Sequence, residues 1–204
     1  MAEYKYEFVK VRIHDGIAWT ALNRPEKRNA MSPALHYEMD DALMRLETDD
    51  DVKVVVVTGE GGNFSAGQDL KKFFRELEKN PAERKKAQAA ANRWRWERLY
   101  GYDKPTIAMV HGYCVGGAFM QLLACDFAIA AENATFSLSE VNWGILPGAL
   151  CRRWSPTWCC RAMRSTTPAW AMHSTARKPR ASAWSISPCH STSSRPRPPT
   201  WRKG

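Results

Sequence analysis

The chain has 204 residues, enough for one domain with a real core, and a formal net charge of +9. No stretch approaches the roughly 18 consecutive apolar residues that a membrane span needs, so no membrane partner is expected. The first ten residues mix charges and contain no apolar segment of the secretory kind. We therefore expect a cytoplasmic, reducing location.

The charge is distributed very unevenly along the chain. Residues 1–150 hold 19 Lys or Arg and 21 Asp or Glu, for a net charge of −2. Residues 151–204 hold 11 Lys or Arg and no acidic residue, for a net charge of +11. The basic character belongs wholly to this tail, and the rest of the chain is not expected to bind nucleic acid.

The first half of the chain alternates between strand and helix patterns. Phe8–Ile13 and Ile17–Leu22 flank an Asp-Gly turn signal and predict a β-hairpin. Ser32 followed by Pro33 is an N-cap with proline at the first helical position, so a helix is predicted next. Val54–Val57 is a continuous β-branched run, typical of a strand buried on both faces of a parallel sheet. The alternation predicts an α/β fold.

Two loops carry residues suited to a ligand, although ordinary loops are the alternative in each case. Lys27 and Arg28 lie in a polar loop where they either meet phosphates or face solvent, and charge alone favours solvent. The segment FSAGQDL at 64–70 puts small residues and a glycine between a strand and a helix, which permits close ligand approach. Farther on, Pro81–Tyr100 predicts a solvated helix, because glutamates interleave with its basic and aromatic residues.

The centre of the chain carries most of the functional argument. Ile107–Val110 predicts a buried strand, after which Gly116 and Gly117 allow a tight turn and close backbone approach. A helix predicted from Gly117 would direct its free N–H groups toward developing negative charge. Asp126–Ala131 predicts another strand, and the loop beyond it contains Glu140, the last carboxylate of the sequence. Glu140 is the candidate acid/base.

Four motifs are present in one order: NRPEKRNAMS (23–32), FSAGQDL (64–70), KPTIAMVHGYCVGGAF (104–119) and CDFAIAAENATFSLSEVNWGILPG (125–148). Together they resemble the crotonase, or enoyl-CoA hydratase/isomerase, superfamily over nearly all of residues 6–150. The resemblance implies a CoA-thioester-binding core of residues 1–150 with the crotonase spiral of ββα units. Residues 69–77, 93–114 and 139–148 most resemble hydroxycinnamoyl-CoA hydratase-lyases, which convert feruloyl-CoA and its relatives to an aromatic aldehyde and acetyl-CoA.

The resemblance also implies roles for individual residues. The backbone N–H groups of Gln68 and Gly117 would hold the thioester oxygen as enolate charge develops, and Glu140 would move protons. The backbone of Ala66 would meet the adenine of CoA, and Lys27 would lie near the CoA phosphates. Coenzyme A is part of the substrate in this family, so neither a separate cofactor nor a metal is expected.

Three further positions bear on the substrate. Met120 stands where ordinary enoyl-CoA hydratases have the first of two glutamates; a thioether cannot transfer a proton, whereas hydratase-lyases manage with the later glutamate alone. Phe73 stands where hydratase-lyases have a tyrosine, so it can stack on an aromatic substrate but cannot hydrogen-bond to it. Trp143 matches the family, as a substrate contact or as a packing residue. A generic enoyl-CoA hydratase or isomerase is the alternative function.

Residues 151–204 depart from this pattern. They hold five of the nine Trp and four of the six Cys and lack Leu, Val, Phe and Tyr, so disorder is predicted. One interpretation is an inactive or binding protein with a basic arm for an acidic partner. We favour a frameshift, because a shifted reading of 151–170 permits SQVVADVVLPRDALYYARM, similar to the superfamily's usual continuation. The C-terminal helical region would then be missing or replaced, and the family's trimer or hexamer is not expected of this chain.

Overall fold

The protein is described by a computed structural model that covers residues 4–144 and 174–175. Its strands, in chain order, are β1 (Val9–His14), β2 (Ile17–Leu22), β3 (Val54–Gly59), β4 (Thr106–Val110), β5 (Tyr113–Val115), β6 (Phe127–Ala130), β7 (Thr135–Ser137) and β8 (Ser174–Thr175). Five of them form a main sheet in the order β1-β2-β3-β4-β6, and β5-β7-β8 form a smaller sheet. The predicted boundary at residue 150 lies outside the described residues.

The main sheet is parallel except at its first pair. β1 and β2 are the antiparallel strands of the predicted hairpin, and β2, β3, β4 and β6 then run parallel. Parallel neighbours need crossover connections, and the α-helices of the described part of the chain lie in those connections. The predicted α/β class is therefore confirmed, and each crossover places the next strand of the main sheet beside the one before it.

The described helices are three α-helices joined by tighter or wider helical turns. The α-helices are α1 (Pro33–Glu47), α2 (Pro81–Asn92) and α3 (Phe119–Ala124). The 3₁₀ turns are Pro25–Lys27, Leu77–Lys79, Leu99–Gly101, Gly116–Ala118 and Ser139–Trp143, and the π-helical segments are Leu70–Arg75 and Arg93–Arg98. None of the helices among the described residues is both long and apolar enough to cross a membrane.

Local signals placed α1 correctly. The Ser32 hydroxyl accepts a hydrogen bond from the Leu35 N–H at 3.3 Å, and Pro33 occupies the first turn, as the N-cap signal predicts. The inner face of α1 buries Leu35, Met39, Leu43 and Leu46 with no exposed surface. This face packs on the sheet and supplies much of the core.

The helix after Gly117 is shorter than predicted. It is a 3₁₀ turn followed by only six α-helical residues, so few peptide dipoles align behind Gly117. The strand predicted over Asp126–Ala131 is confirmed as β6, although its first residue, Phe127, is 52% exposed. The predicted continuous helix over Pro81–Tyr100 is likewise divided, because α2 ends at Asn92 and a π-helical segment follows.

Candidate active site

The Gly67–Gln68 loop is held from one side by the chain that leads into α1. The Met31 N–H donates to the Gly67 carbonyl at 2.8 Å, and the Asp69 N–H donates to the Met31 carbonyl at 3.0 Å. The Asp69 carboxylate also pairs with the buried Arg24 guanidinium at 3.0 Å. These bonds bypass Gln68, whose N–H donates to no acceptor among the described residues. The loop is therefore rigid, with one backbone donor left over.

The same loop is held from its other side by β5. The Ser65 N–H donates to the Tyr113 carbonyl at 2.8 Å, and the Val115 N–H donates to the Ser65 carbonyl at 3.0 Å. Gly67 has a φ of 88°, and a Cβ placed on it would lie 2.6 Å from the Val115 oxygen and 3.3 Å from the Gly117 nitrogen. A glycine is thus required here, and its absence of a side chain lets the two predicted oxyanion loops meet.

Glu140 lies against the second of these loops. A Cβ placed on Gly116 would lie 3.4 Å from Oε1 and 3.5 Å from Oε2 of Glu140, and 3.0 Å from Oγ of Ser139. Oε2 of Glu140 is buried and has no hydrogen-bond partner within residues 4–144 and 174–175. A carboxylate oxygen without a partner, beside the loop that carries the Gly117 N–H, can accept and return a proton. The structure thus brings Gln68, Gly117 and Glu140 close to one another, and their catalytic roles stay predictions.

A buried chain of hydrogen bonds reaches the side chain of Gln68. The Trp94 indole Nε1–H donates to Nδ1 of His36 at 3.0 Å, and Nε2 of His36 lies 2.8 Å from Oε1 of Gln68. Because an indole N–H can only donate, Nδ1 of His36 must accept, so the ring proton is on Nε2 and is donated to Gln68. Sequence reasoning gave the Gln68 side chain no part in the site. The structure gives it a positioning contact.

Burial lowers the pKa of His36 well below its ordinary value, and the positive charge of Arg95 lowers it further. The unfolded chain binds a proton at His36 below about pH 6.5, whereas the folded chain does not, so stability falls as the pH falls below that value. We expect a loss of up to about 1.4 kcal/mol per pH unit from this residue. The free energy of unfolding, determined by urea titration at pH 7.5, 6.5 and 5.5, measures this loss.

The control for this prediction is the exposed His14, whose side chain is 83% accessible. His36→Gln should flatten the slope of unfolding free energy against pH, and His14→Gln should leave it as in the parent chain. Equal slopes in the parent and in His36→Gln would contradict the neutral, buried assignment of His36.

The residues predicted to meet CoA lie next to one another. Lys27 is exposed at the end of a 3₁₀ turn, and the Ala66 N–H donates to the Arg28 carbonyl at 2.8 Å. Because this N–H is used, the carbonyl is the Ala66 group that is left for an adenine. The Arg28 guanidinium also lies over the Tyr113 ring, 5.6 Å from its centroid. This surface carries exposed cations, and its contact with CoA stays a prediction.

The three residues predicted to shape the acyl pocket have different outcomes. Phe73 is 2% exposed and packs edge-to-face on His36 at 5.4 Å between ring centroids, so its ring is mainly a core residue and its substrate contact stays a prediction. Met120 is half-buried on α3. Trp143 ends the turn that carries Glu140, but its side chain lies outside what the structure describes.

Sequence reasoning also missed Arg95, which lies at this site. Arg95 was grouped with the solvated cations of a helix, but it has no exposed surface, and its Nη1 lies 3.8 Å from a Cβ placed on Gly117. A signal was present, because Arg95 follows the buried Ala87 and Ala91 at spacings of eight and four, on the apolar stripe of the helix. A charge on such a stripe was read as solvated because arginine is rarely fully buried.

No group of three or more His, Cys, Asp and Glu side chains that could hold a metal ion is found among residues 4–144 and 174–175. Within the same residues, Cys114 and Cys125 are free thiols. The site described above therefore offers backbone N–H groups, the carboxylate of Glu140 and the buried guanidinium of Arg95.

Comparison with known proteins identifies one matching family model and several relatives. The family model for enoyl-CoA hydratase/isomerase matches residues 12–167, and so runs past residue 148, where the last sequence motif ends. A hydroxycinnamoyl-CoA hydratase-lyase of Pseudomonas fluorescens is 54% identical over 149 residues, which are 72% of this chain and 54% of that protein. The 2,3-dehydroadipyl-CoA hydratase of Escherichia coli is 40% identical over 63% of this chain and 48% of its own.

Comparison of the fold with solved structures also finds enoyl-CoA hydratases. The crystal structure of an enoyl-CoA hydratase from Shewanella pealeana superposes with a TM-score of 0.68 at 28% identity, covering 80% of this chain and 63% of that one. The chain spans about half the length of the curated relatives it matches. Since the family model covers most of the chain, and the site and fold agree with it, this protein belongs to the enoyl-CoA hydratase/isomerase family.

Proposed function

We propose that the protein is a hydroxycinnamoyl-CoA hydratase-lyase, which converts feruloyl-CoA to vanillin and acetyl-CoA. The observation that carries the proposal is the placement of Glu140 against Gly116, beside the loops that carry the Gln68 and Gly117 N–H groups, with no second acid at position 120. The 54% identity to the Pseudomonas fluorescens hydratase-lyase supports the choice of reaction within the family.

The first step of the proposed reaction is hydration. Water adds its oxygen to the β-carbon of the thioester while Glu140 takes one of its protons, and the electron pair moves toward the thioester oxygen. The N–H groups of Gln68 and Gly117 hold that oxygen, and one fixed donor of this kind is worth about 3–4 kcal/mol. Glu140 then returns the proton to the α-carbon, which gives the β-hydroxy thioester.

The second step is cleavage of the carbon–carbon bond. Glu140 removes the proton of the β-hydroxyl, the bond between the α- and β-carbons breaks, and the aldehyde leaves. The electron pair again forms an enolate between Gln68 and Gly117, and protonation of its carbon by Glu140 gives acetyl-CoA. One carboxylate and one oxyanion site therefore suffice for both steps, and Met120 takes no part in proton transfer.

The second candidate is a generic enoyl-CoA hydratase or isomerase. It is favoured by the several solved enoyl-CoA hydratases that share the fold, and by Phe73, which cannot hydrogen-bond to a substrate hydroxyl. The two candidates differ in their product, because only the hydratase-lyase breaks a carbon–carbon bond.

The test supplies feruloyl-CoA and, separately, crotonyl-CoA, and follows vanillin and the loss of the crotonyl double bond. We expect vanillin from feruloyl-CoA and slow turnover of crotonyl-CoA. Turnover of crotonyl-CoA with no aldehyde from feruloyl-CoA would instead establish the generic hydratase.

The assay is run on the 204-residue chain and on a version whose residues 151–204 carry the family-like reading of the shifted frame. We expect the second to be faster by about a hundredfold or more, equivalent to roughly 3 kcal/mol of transition-state stabilisation. It should also form the family's trimer, measured by light scattering. Equal activity in a trimeric 204-residue chain would contradict the frameshift interpretation.

A further inference from the structure

Arg95 is a cation in the interior of the protein without a counter-ion. Its side chain has no exposed surface, and among the described residues no carboxylate lies within ion-pair distance of it. Its Nε–H donates to the Ala91 carbonyl of its own helix at 2.7 Å, and its guanidinium lies 5.9 Å from the centroid of the Trp94 ring. Burial lowers the pKa of Arg95 to about 9, which still leaves the group protonated at neutral pH.

Nη1 of Arg95 has no hydrogen-bond partner among the residues that the structure describes. Burying a charged donor without an acceptor costs free energy, and a neutral side chain of similar size would avoid that cost. The bond from Nε to Ala91 is local to one helical turn and does not require a positive charge. Packing therefore explains where Arg95 lies but not why a cation occupies the position.

The unpartnered nitrogen lies at the candidate active site. It is 3.8 Å from a Cβ placed on Gly117, and Cγ of Gln68 is 3.3 Å from the same point. The guanidinium is thus next to both loops whose N–H groups are the proposed oxyanion donors. Glu140 lies against the adjacent Gly116, and among the described residues the two charges form no ion pair with each other.

We propose that Arg95 is the buried cation of this site, and that its charge stabilises the enolate oxyanion held by the Gln68 and Gly117 amides. The inference rests on the proposed function, since it needs a thioester between those amides. A fixed charge in a water-excluded interior acts strongly over short distances, because little solvent reorganises around it. The adjacent α3 has only six residues, so few aligned peptide dipoles add to that field.

The neighbouring His36 is consistent with this assignment. Its hydrogen bonds to Trp94 and Gln68 require the neutral ring, so Arg95 is the single positive charge in this buried cluster of described residues. His36 holds Gln68 in place, and Arg95 supplies charge. The two residues have separable effects.

The experiment uses two non-reactive ligands of the full chain, carboxymethyl-CoA and its neutral isostere carbamoylmethyl-CoA. The first places an anion near the position of the enolate oxygen, and the second places an uncharged amide there. Affinities are measured by calorimetry for the parent chain, Arg95→Met, Arg95→Lys and the control Arg84→Met, which removes an exposed cation from α2. Thermal unfolding midpoints are measured for the same four proteins.

We expect the parent to bind the anionic ligand more tightly, and Arg95→Met to lose at least about tenfold of this preference while keeping its affinity for the amide. Arg95→Lys and Arg84→Met should keep the preference, and the unfolding midpoint of Arg95→Met should not fall, because an unpaired buried charge has been removed.

If Arg95→Met keeps the full preference, or instead weakens both ligands equally and unfolds earlier, the inference is overturned. If the parent binds both ligands equally, the inference alone fails; if it binds neither, the proposed CoA site fails with it.

Discussion

Replacing Glu140 with glutamine is expected to lower the rate of vanillin formation from feruloyl-CoA by about a thousandfold or more, within the range by which positioned acids and bases accelerate reactions. The amide keeps the size of the side chain and so leaves the space against Gly116 filled, but it cannot accept a proton in either step. Binding of feruloyl-CoA should therefore be largely unchanged. Single-turnover rates and equilibrium binding of feruloyl-CoA separate the effect on chemistry from the effect on binding. Both are measured on whichever of the two versions of residues 151–204 is active.

The matched control is Glu132→Gln, which neutralises an exposed carboxylate in the turn after β6. It should leave the rate of vanillin formation unchanged. A Glu140→Gln protein with the full parent rate would show that another group moves the protons. A loss of binding equal to the loss of rate would place Glu140 in substrate binding instead.

Replacing Gly67 with alanine is expected to have the second largest effect, a loss of about a hundredfold or more in vanillin formation, because misplacing reacting groups by an ångström costs this much. The new Cβ would lie 2.6 Å from the Val115 oxygen, a distance that forces the backbone to move. The φ of 88° adds backbone strain of about 1–3 kcal/mol for a residue other than glycine. Both effects push apart the loops that carry the Gln68 and Gly117 N–H groups.

Gly62→Ala is the matched control, because a Cβ at Gly62 would meet no atom within 4 Å. It should unfold at the denaturant concentration of the parent and keep its activity. Gly67→Ala should unfold at a lower denaturant concentration and also lose activity in the fraction that remains folded. Parental activity in folded Gly67→Ala protein would show that the contact of the two loops does not determine the oxyanion site.

Local signals in the sequence were sufficient for most of the scaffold. Ser32 and Pro33 define the start of α1 because capping and proline stereochemistry act within one turn. The β-branched run of Val54–Val57 identifies a central strand because only a strand buried on both faces has that composition. The glycines at 67, 116 and 117, and the isolated carboxylate of Glu140, were recognised for the same reason, since backbone freedom and proton transfer depend on the residue type itself.

Only the tertiary structure determined which hydrogen bonds form in the interior of the site. The hydrogen bond between His36 and Gln68 joins residues that are 32 positions apart, and the one between Trp94 and His36 joins residues that are 58 positions apart. No local pattern predicts which buried donor meets which acceptor. The apolar stripe of its helix could assign Arg95 to a buried face, but the absence of a counter-ion depends on every segment packed around it. Periodicity determines which side of an element is buried, whereas the partner of a buried polar group is set by the packing of distant segments.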